Sequence, residues 1–295
     1  MPELPEVENV RRGLEPHFKG HRILRVELRR RDLRFPFPER FAGRLEGAKV
    51  ARLERRAKYL IAHLSTGEAL IMHLGMTGRF TVRVKGSKQQ LELGDFEYET
   101  ASDAKHEHVV FHLSGGERVS YSDPRRFGYM LLEPEGQLSQ HPLFRALGVE
   151  PLGPDLTPAS LAKRAAGRRS NLTAFLMDQG IIAGLGNIYV CEALFLSGLA
   201  PERKTSTLAK RSGAPTAHAE SLVDAIRSVL QEAIAAGGST LRDYRRADGS
   251  EGGFQDRFSV YGREGEPCVR PGCRGIVRRS IHGGRSTFYC SVCQR

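Results

Sequence analysis

The 295-residue chain has no apolar run approaching the roughly 18 residues that a membrane-crossing helix needs. It also has no basic amphipathic helix of the kind that lies on a membrane surface, so no membrane partner is expected. The start, Met1-Pro2-Glu3-Leu4-Pro5-Glu6, has neither a cationic region nor an apolar stretch; a secretory signal is not expected, and the cytoplasm is the expected compartment. Internal repeats are absent. Lysine is scarce, nine residues against 36 arginines. Acidic residues stop at Glu266, while Arg270, Arg274, Arg278, Arg279, Arg285 and Arg295 follow.

What remains is an ordinary globular composition, 40% hydrophobic and 27% charged. The length suggests about two domains at roughly 150 residues each. The net charge of +11 implies a polyanionic partner. Arginine grips phosphate as a planar fork, although codon usage in a GC-rich genome accounts for part of its excess over lysine. Charge alone does not separate nucleic acid from an acidic membrane.

Apolar residues Leu4, Val7, Val10, Leu14 and Phe18 recur at helical spacing and predict a helix over 4–18, with Pro5 and the early carboxylates suited to its first turn. Gly13 and Pro16 predict early fraying. From about 22 to 133 the pattern is short strands, at 22–28, 49–53, 59–64, 69–74, 80–84, 108–113 and 128–132, separated by turn signals. That spacing predicts an antiparallel β-sandwich. The polar stretch 85–105 is expected to be a long exposed loop. Gly148-Val149-Glu150-Pro151-Leu152-Gly153-Pro154 reads as a linker. Helices are expected beyond it at 161–166, 171–178, 187–196 and 217–236, and the glycine-rich 240–261 as a loop.

Four of the five cysteines lie in the last 28 residues, as Cys268-x4-Cys273 and Cys290-x2-Cys293. Two close pairs a β-hairpin apart are the plan of a tetrahedral four-thiolate zinc site. Two disulfides are the alternative, but they need an oxidising compartment. A closed four-cysteine site leaves no open position, so one structural Zn2+ is expected. It would hold together a ribbon too small to fold alone. Cys191, in an apolar run, reads as a small core residue. A basic zinc ribbon behind a helical segment favours nucleic acid over membrane as the polyanion.

Methionine before a small residue is normally removed, which would leave Pro2 as a terminal secondary amine. An α-amino group titrates at about 7.7–8.0, so part of it is neutral at pH 7 and can attack a carbonyl-like carbon. A secondary amine then gives an iminium, a cationic electron sink, and Glu3 beside it can supply or accept a proton. Taken alone, proline and glutamate at a helix start are simply good caps, and locally that reading is favoured.

In combination the motifs resemble those of bacterial formamidopyrimidine-DNA glycosylase, and they span the chain in order. They are Met1-Pro2-Glu3-Leu4-Pro5-Glu6-Val7-Glu8; Arg55-Arg56-Ala57-Lys58-Tyr59-Leu60; His73-Leu74-Gly75-Met76; and Asp123-Pro124-Arg125-Arg126-Phe127-Gly128. Then follow Gly184-Leu185-Gly186-Asn187-Ile188-Tyr189; Tyr261-Gly262-Arg263-Glu264-Gly265-Glu266-Pro267-Cys268; and Arg285-Ser286-Thr287-Phe288-Tyr289-Cys290.

The resemblance implies an α+β multidomain fold. Its parts are an N-terminal antiparallel β-sandwich with a catalytic helix (1–148), a helix-two-turns-helix DNA-binding domain (149–262) and a zinc ribbon (263–295), with DNA running between them. It implies a monomeric base-excision enzyme for oxidised purines in double-stranded DNA. Pro2 is the Schiff-base nucleophile and Glu3 the acid. Lys58 reaches phosphate and takes part in β-elimination. Arg285 clamps the lesion phosphates and assists δ-elimination.

Met76, Arg125 and Phe127 match a wedge filling the gap left by an extruded nucleotide. Such an enzyme must flip its base out of the stack, and Arg can face a cytosine edge. Asn187 would offer amides to a phosphate, or serve as a plain N-cap. His106 and Arg169 match further DNA contacts. Lys58 is otherwise an exposed hairpin lysine, and Met76 and Phe127 otherwise core residues, though both fall in glycine-flanked turns.

Three features depart from the pattern: the x4 spacing of the first cysteine pair, the length of 85–105, and Thr173-Ala174 where Lys-Pro is expected. Rival readings are an endonuclease VIII-like enzyme for oxidised pyrimidines, against which Leu4 and the 123–128 run argue, and a non-catalytic zinc-dependent damage-binding protein.

Overall fold

The structure, a computed structural model, describes residues 2–84, 90–93, 104–239 and 253–295. It divides into two units: residues 1–145 with 236–255, and 146–235 with 256–295.

The first unit opens with α1 (Leu4–Phe18), which buries Leu4, Val7, Val10, Leu14 and Phe18. Glu3 is its N-cap in a capping box with Glu6, and the Glu3 N–H donates to the Glu6 carboxylate at 2.8 Å. The predicted fraying does not occur: the helix runs unbroken through Gly13 and Pro16. Gly13 has a packing role instead. A Cβ there would stand 2.4 Å from a methyl of Leu93, so only glycine lets that side chain lie against the helix.

After α1 come β1 (Ile23–Leu28), a short α2 (Phe41–Leu45), β2 (Val50–Arg56), β3 (Tyr59–Leu64), β4 (Glu68–His73) and β5 (Arg79–Arg83). Then follow β6 (Gln90–Leu93), β7 (Glu107–Leu113), β8 (Arg118–Ser122), β9 (Tyr129–Pro134) and α3 (Pro142–Arg145). They form two antiparallel sheets, β1-β7-β8-β5-β6 and β2-β3-β4-β9. One core joins both to α1, with Val10, Leu14 and Phe18 meeting Leu60, Leu70, Phe80 and Phe111. The predicted sandwich is therefore present. Part of the loop expected over 85–105 is instead the edge strand β6, paired with β5 from Phe80↔Leu93 to Arg83↔Gln90. Residues 85–89 and 94–103 lie outside the described residues.

The second unit carries α4 (Pro158–Ala165), α5 (Leu172–Met177), α6 (Asn187–Leu196) and α7 (Ala217–Ala235). Thr157 caps α4 and Asn171 caps α5, each accepting a main-chain N–H. Residues 188–195 of α6 are buried on every side, whereas α7 buries one stripe. The chain closes on the hairpin β10 (Val277–His282) and β11 (Arg285–Cys290). Its two-residue turn is Gly283-Gly284, both at positive φ (55° and 75°), the demand of the tight turn that matches strand twist. Of the predicted loop 240–261, residues 240–252 lie outside the described residues, and 255–257 form a single 3-10 turn.

Candidate active site, wedge and metal centre

Pro2 is buried where α1 begins, and Glu3 is 5% exposed. A carboxylate this enclosed is unusual unless it is engaged, and Glu3 is held at the helix N-terminus by the capping box. Glu6 fixes the same corner from behind. One of its oxygens takes the Glu3 N–H, and the other takes the N–H and the hydroxyl of Ser239 at 2.8 and 2.9 Å.

Lys58 sits in the β2–β3 turn and is 8% exposed, so it is not a solvated hairpin lysine. The turn needs Ala57 at φ 53°. It is held by Arg55, which donates to the Ala57 carbonyl at 3.0 Å and to Glu8 on α1 at 3.3 Å. That bridge ties the lysine turn to the helix that carries Glu3.

Strand register builds the wall beside Lys58. Tyr59 faces His73 across β3–β4, and His73 faces Tyr129 across β4–β9, so three rings lie side by side. His73 stacks on Tyr129 at 5.1 Å and 12°, and the Tyr129 hydroxyl donates to that of Tyr59 at 3.3 Å. Burial, then the charges of Lys58 and Arg34, hold the imidazole down to about 4. Burial also pushes the Tyr129 phenol up. Neutral His73 accepts the Gly75 N–H at 3.0 Å, one residue before Met76. The motif at 73–76 assigns no role to His73. The signal that could have found it is its place opposite Tyr59 and Tyr129 on neighbouring strands.

Met76 and the pair Arg125/Phe127 sit on two turns that one carboxylate joins. Asp123 is fully buried; it accepts from the Thr77 hydroxyl at 2.5 Å, the Gly128 N–H at 2.8 Å and the Tyr121 hydroxyl at 3.3 Å. Arg125 N–H reaches the Thr77 hydroxyl at 3.3 Å. A Cβ on Gly75 would stand 2.3 Å from the Gly128 nitrogen, so the turns touch through bare backbone. Phe127 is 42% exposed with the Arg125 guanidinium 4.8 Å over its ring, while Met76 is half-buried. His106 is half-buried, and its carbonyl takes the Asp123 N–H at 3.1 Å.

In the second unit Gly186, not Asn187, occupies the N-cap of α6, which corrects the plain-cap alternative. Asn187 is the first helical residue, and its amide donates to the Ser286 carbonyl at 2.7 Å, beside Arg285 at the hairpin tip. Arg285 and Arg169 are exposed. Asn171, two residues after Arg169, lies 3.4 Å from His282, which faces Arg285 across the hairpin.

All four thiols of Cys268, Cys273, Cys290 and Cys293 gather within 4.8 Å of one another. The Sγ atoms of Cys268 and Cys293 are 3.7 Å apart, as are those of Cys273 and Cys290. Sulfurs at about 2.3 Å from one tetrahedral ion would be about 3.8 Å apart. The donor set therefore fits a metal ion, and the x4 knuckle, turned at Gly272 (φ 76°), removes no ligand. Burial pushes the Cys293 thiol up to about 12. In Cys290 burial is outweighed by the amides of Cys293 and Val292, which hold it down to about 7. A bound cation would take thiolates as its ligands and release their protons. Cys191 is buried in the same cluster as Cys268 and Cys290.

Together these features define a class: an antiparallel sandwich that opens on a carboxylate-capped helix, in one chain with a helical unit closed by a four-cysteine ribbon. The formamidopyrimidine-DNA glycosylase N-terminal domain matches residues 1–130, and the H2TH domain of the same enzymes matches residues 147–245. A formamidopyrimidine-DNA glycosylase of Chelativorans sp. is 56% identical over the whole of both chains. One from Methylobacterium sp. (strain 4-46) is 58% identical over 100% of this chain and 99% of its own. Among solved structures, the Lactococcus lactis Fpg in complex with abasic-site DNA, and a mutant of it with Fapy-dG-containing DNA, each match over the full length of both chains. Each has 31% identity and a TM-score of 0.83. The chain belongs to the formamidopyrimidine-DNA glycosylase family.

Proposed function

We propose that this chain is a bifunctional DNA glycosylase and AP lyase that excises oxidised purines from double-stranded DNA and then cuts the strand. The observation that carries the reading is the buried corner formed by Pro2 and Glu3, with Lys58 buried on a turn tied to the same helix. With Met1 removed, the secondary amine of Pro2 attacks C1′ of the damaged nucleotide. The C1′–N bond breaks and the base leaves with a proton, for which Glu3 is the donor. The sugar ring then opens as the C1′–O4′ bond breaks, O4′ taking a proton with Glu3 assisting, and C1′ becomes an iminium to Pro2. This acidifies the C2′ proton, so the 3′ phosphate departs by β-elimination and the 5′ phosphate by δ-elimination.

Lys58, Asn187 and Arg285 hold the phosphates, with His106 and Arg169 as further contacts. Met76, Arg125 and Phe127 fill the space left by the flipped nucleotide; their common anchor on Asp123 supports a wedge that moves as one piece. The four cysteines hold one structural zinc ion, which lends the ribbon its fold and takes no part in the chemistry.

The reading is tested by borohydride trapping on duplex DNA carrying 8-oxoguanine opposite cytosine. A covalent adduct is expected with the natural chain and none with Pro2→Gly. An adduct that survives Pro2→Gly overturns it, and preferential trapping on thymine glycol replaces it with the pyrimidine-directed reading.

A further inference from the structure

A cavity of about 460 Å³ opens beside the wedge, lined by Leu33, Arg34, Arg125, Arg126 and Phe127. Two of its walls come from the loop at 29–38, which no motif marks. That loop is held at several points. Leu33 is 5% exposed and anchors it in the core. Leu33 N–H bonds to the Phe35 carbonyl at 3.0 Å, Phe37 N–H to the Arg31 carbonyl at 3.3 Å, and Arg34 N–H to the Gly128 carbonyl at 3.0 Å. The last bond fixes Arg34 against the very turn that carries Phe127.

The charges around the cavity are unequally used. Arg29 is paired with Glu107 at 2.7 Å. Asp32 takes Arg30 at 3.5 Å and Arg126 at 3.8 Å. Arg34 has no carboxylate partner among the described residues; its guanidinium lies 5.5 Å over the exposed Phe35 ring. Its charge is nonetheless felt at His73 and Tyr129, where it disfavours a proton on the imidazole and favours the ionised phenol. A guanidinium with no carboxylate partner among the described residues, at the edge of a cavity that Arg125 and Arg126 also line, suits a compact anion, which it can grip with two parallel N–H bonds.

We propose that this cavity seats one phosphodiester of duplex DNA next to the wedge, with Arg34 as its gripping residue. The proposal rests on the DNA-directed reading above. Because phosphate contacts position a duplex without reading its sequence, Arg34 acts on binding of damaged and intact DNA alike. It does not act on the excision step.

The test is a titration of duplexes with and without 8-oxoguanine across a salt series, alongside single-turnover excision at saturating enzyme. Arg34→Ala is expected to weaken binding of both duplexes about tenfold. It should lower the slope of log K against log salt by about 0.9, the value of one phosphate contact, and leave the single-turnover rate unchanged. Arg34→Lys should keep the slope and lose about two- to threefold in affinity. Arg34 is exposed, so neither variant disturbs the core. An unchanged slope with Arg34→Ala overturns the proposal, whether affinity moves or not, and so does a slowed single-turnover rate. If the natural chain binds duplex yet excises nothing, the functional reading falls, and the slopes still decide the question of Arg34.

Discussion

His73 shows how much a single residue can owe to its neighbours. Three strands place Tyr59, His73 and Tyr129 in one row, and the row removes enough water to keep the imidazole neutral down to about pH 4. Neutrality matters because only the unprotonated Nδ1 can accept the Gly75 N–H that sets the Met76 turn. An unfolded histidine takes up its proton near pH 6.5 and the folded one only near 4. Between those values the unfolded chain binds more protons, so stability falls as pH drops through the window. A shift of this size is worth about 3 kcal/mol at most. Urea unfolding of the natural chain is therefore expected to lose midpoint steadily from pH 6.5 to 4, and His73→Gln to lack that portion of the slope. A variant whose pH profile matches the natural chain would show that His73 titrates normally.

At the scale of elements, two turns act as one. Asp123 bonds to residues on both, and Gly75 and Gly128 bring their backbones together. A Cβ on Gly128 would stand 1.9 Å from the Tyr121 hydroxyl, which is itself buried and bonded to Asp123. Gly128→Ala is expected to cost about 2–3 kcal/mol, as overpacking of a tight interior does, and to reduce excision by loosening Phe127 and Met76 together. Chemical denaturation and single-turnover excision read the two effects, and a stability change below ~0.5 kcal/mol would show that the turns yield easily.

The same region marks the limit of what sequence discloses. α1, β3 and α6 are legible at their observed bounds, because an apolar stripe or a continuous apolar run declares itself. β8, Arg118–Ser122, is not, because in five residues only Val119 and Tyr121 are strongly apolar, and the arginine and two serines around them hide a strand that folds back on β7 across a short turn. β6, only four residues long, does not stand out from the polar stretch around it. Among site residues, motifs point to Pro2, Glu3 and Lys58. They cannot reveal that Glu6 reaches Ser239 or that Arg34 bonds to Gly128, since those pairings exist only once the chain is folded.

For the whole molecule, the sandwich and the ribbon differ in what sustains them. Both sheets and α1 share a large apolar core. The ribbon has very little: the small cluster behind it draws Cys191 and Phe195 from α6 and Val260 from the segment before it, and the ribbon's own buried members there are Cys268, Val277 and Cys290, two of them cysteines. Burying so few side chains at about 1.5–3 kcal/mol each cannot order some thirty residues, whereas four thiolates binding zinc supply about 10–16 kcal/mol.

Metal removal should therefore act locally. After chelation, amide hydrogen exchange is expected to rise through 263–295, while α1 and the strands of the two sheets keep their protection. Arg285 and the Ser286 carbonyl that holds Asn187 lie in the segment that loosens, so affinity for duplex DNA should fall with the ribbon, and added Zn2+ should restore both. Protection that persists in 263–295 without metal would show that the ribbon stands on its own packing. Affinity that persists after the ribbon has loosened would remove Arg285 from the DNA contacts.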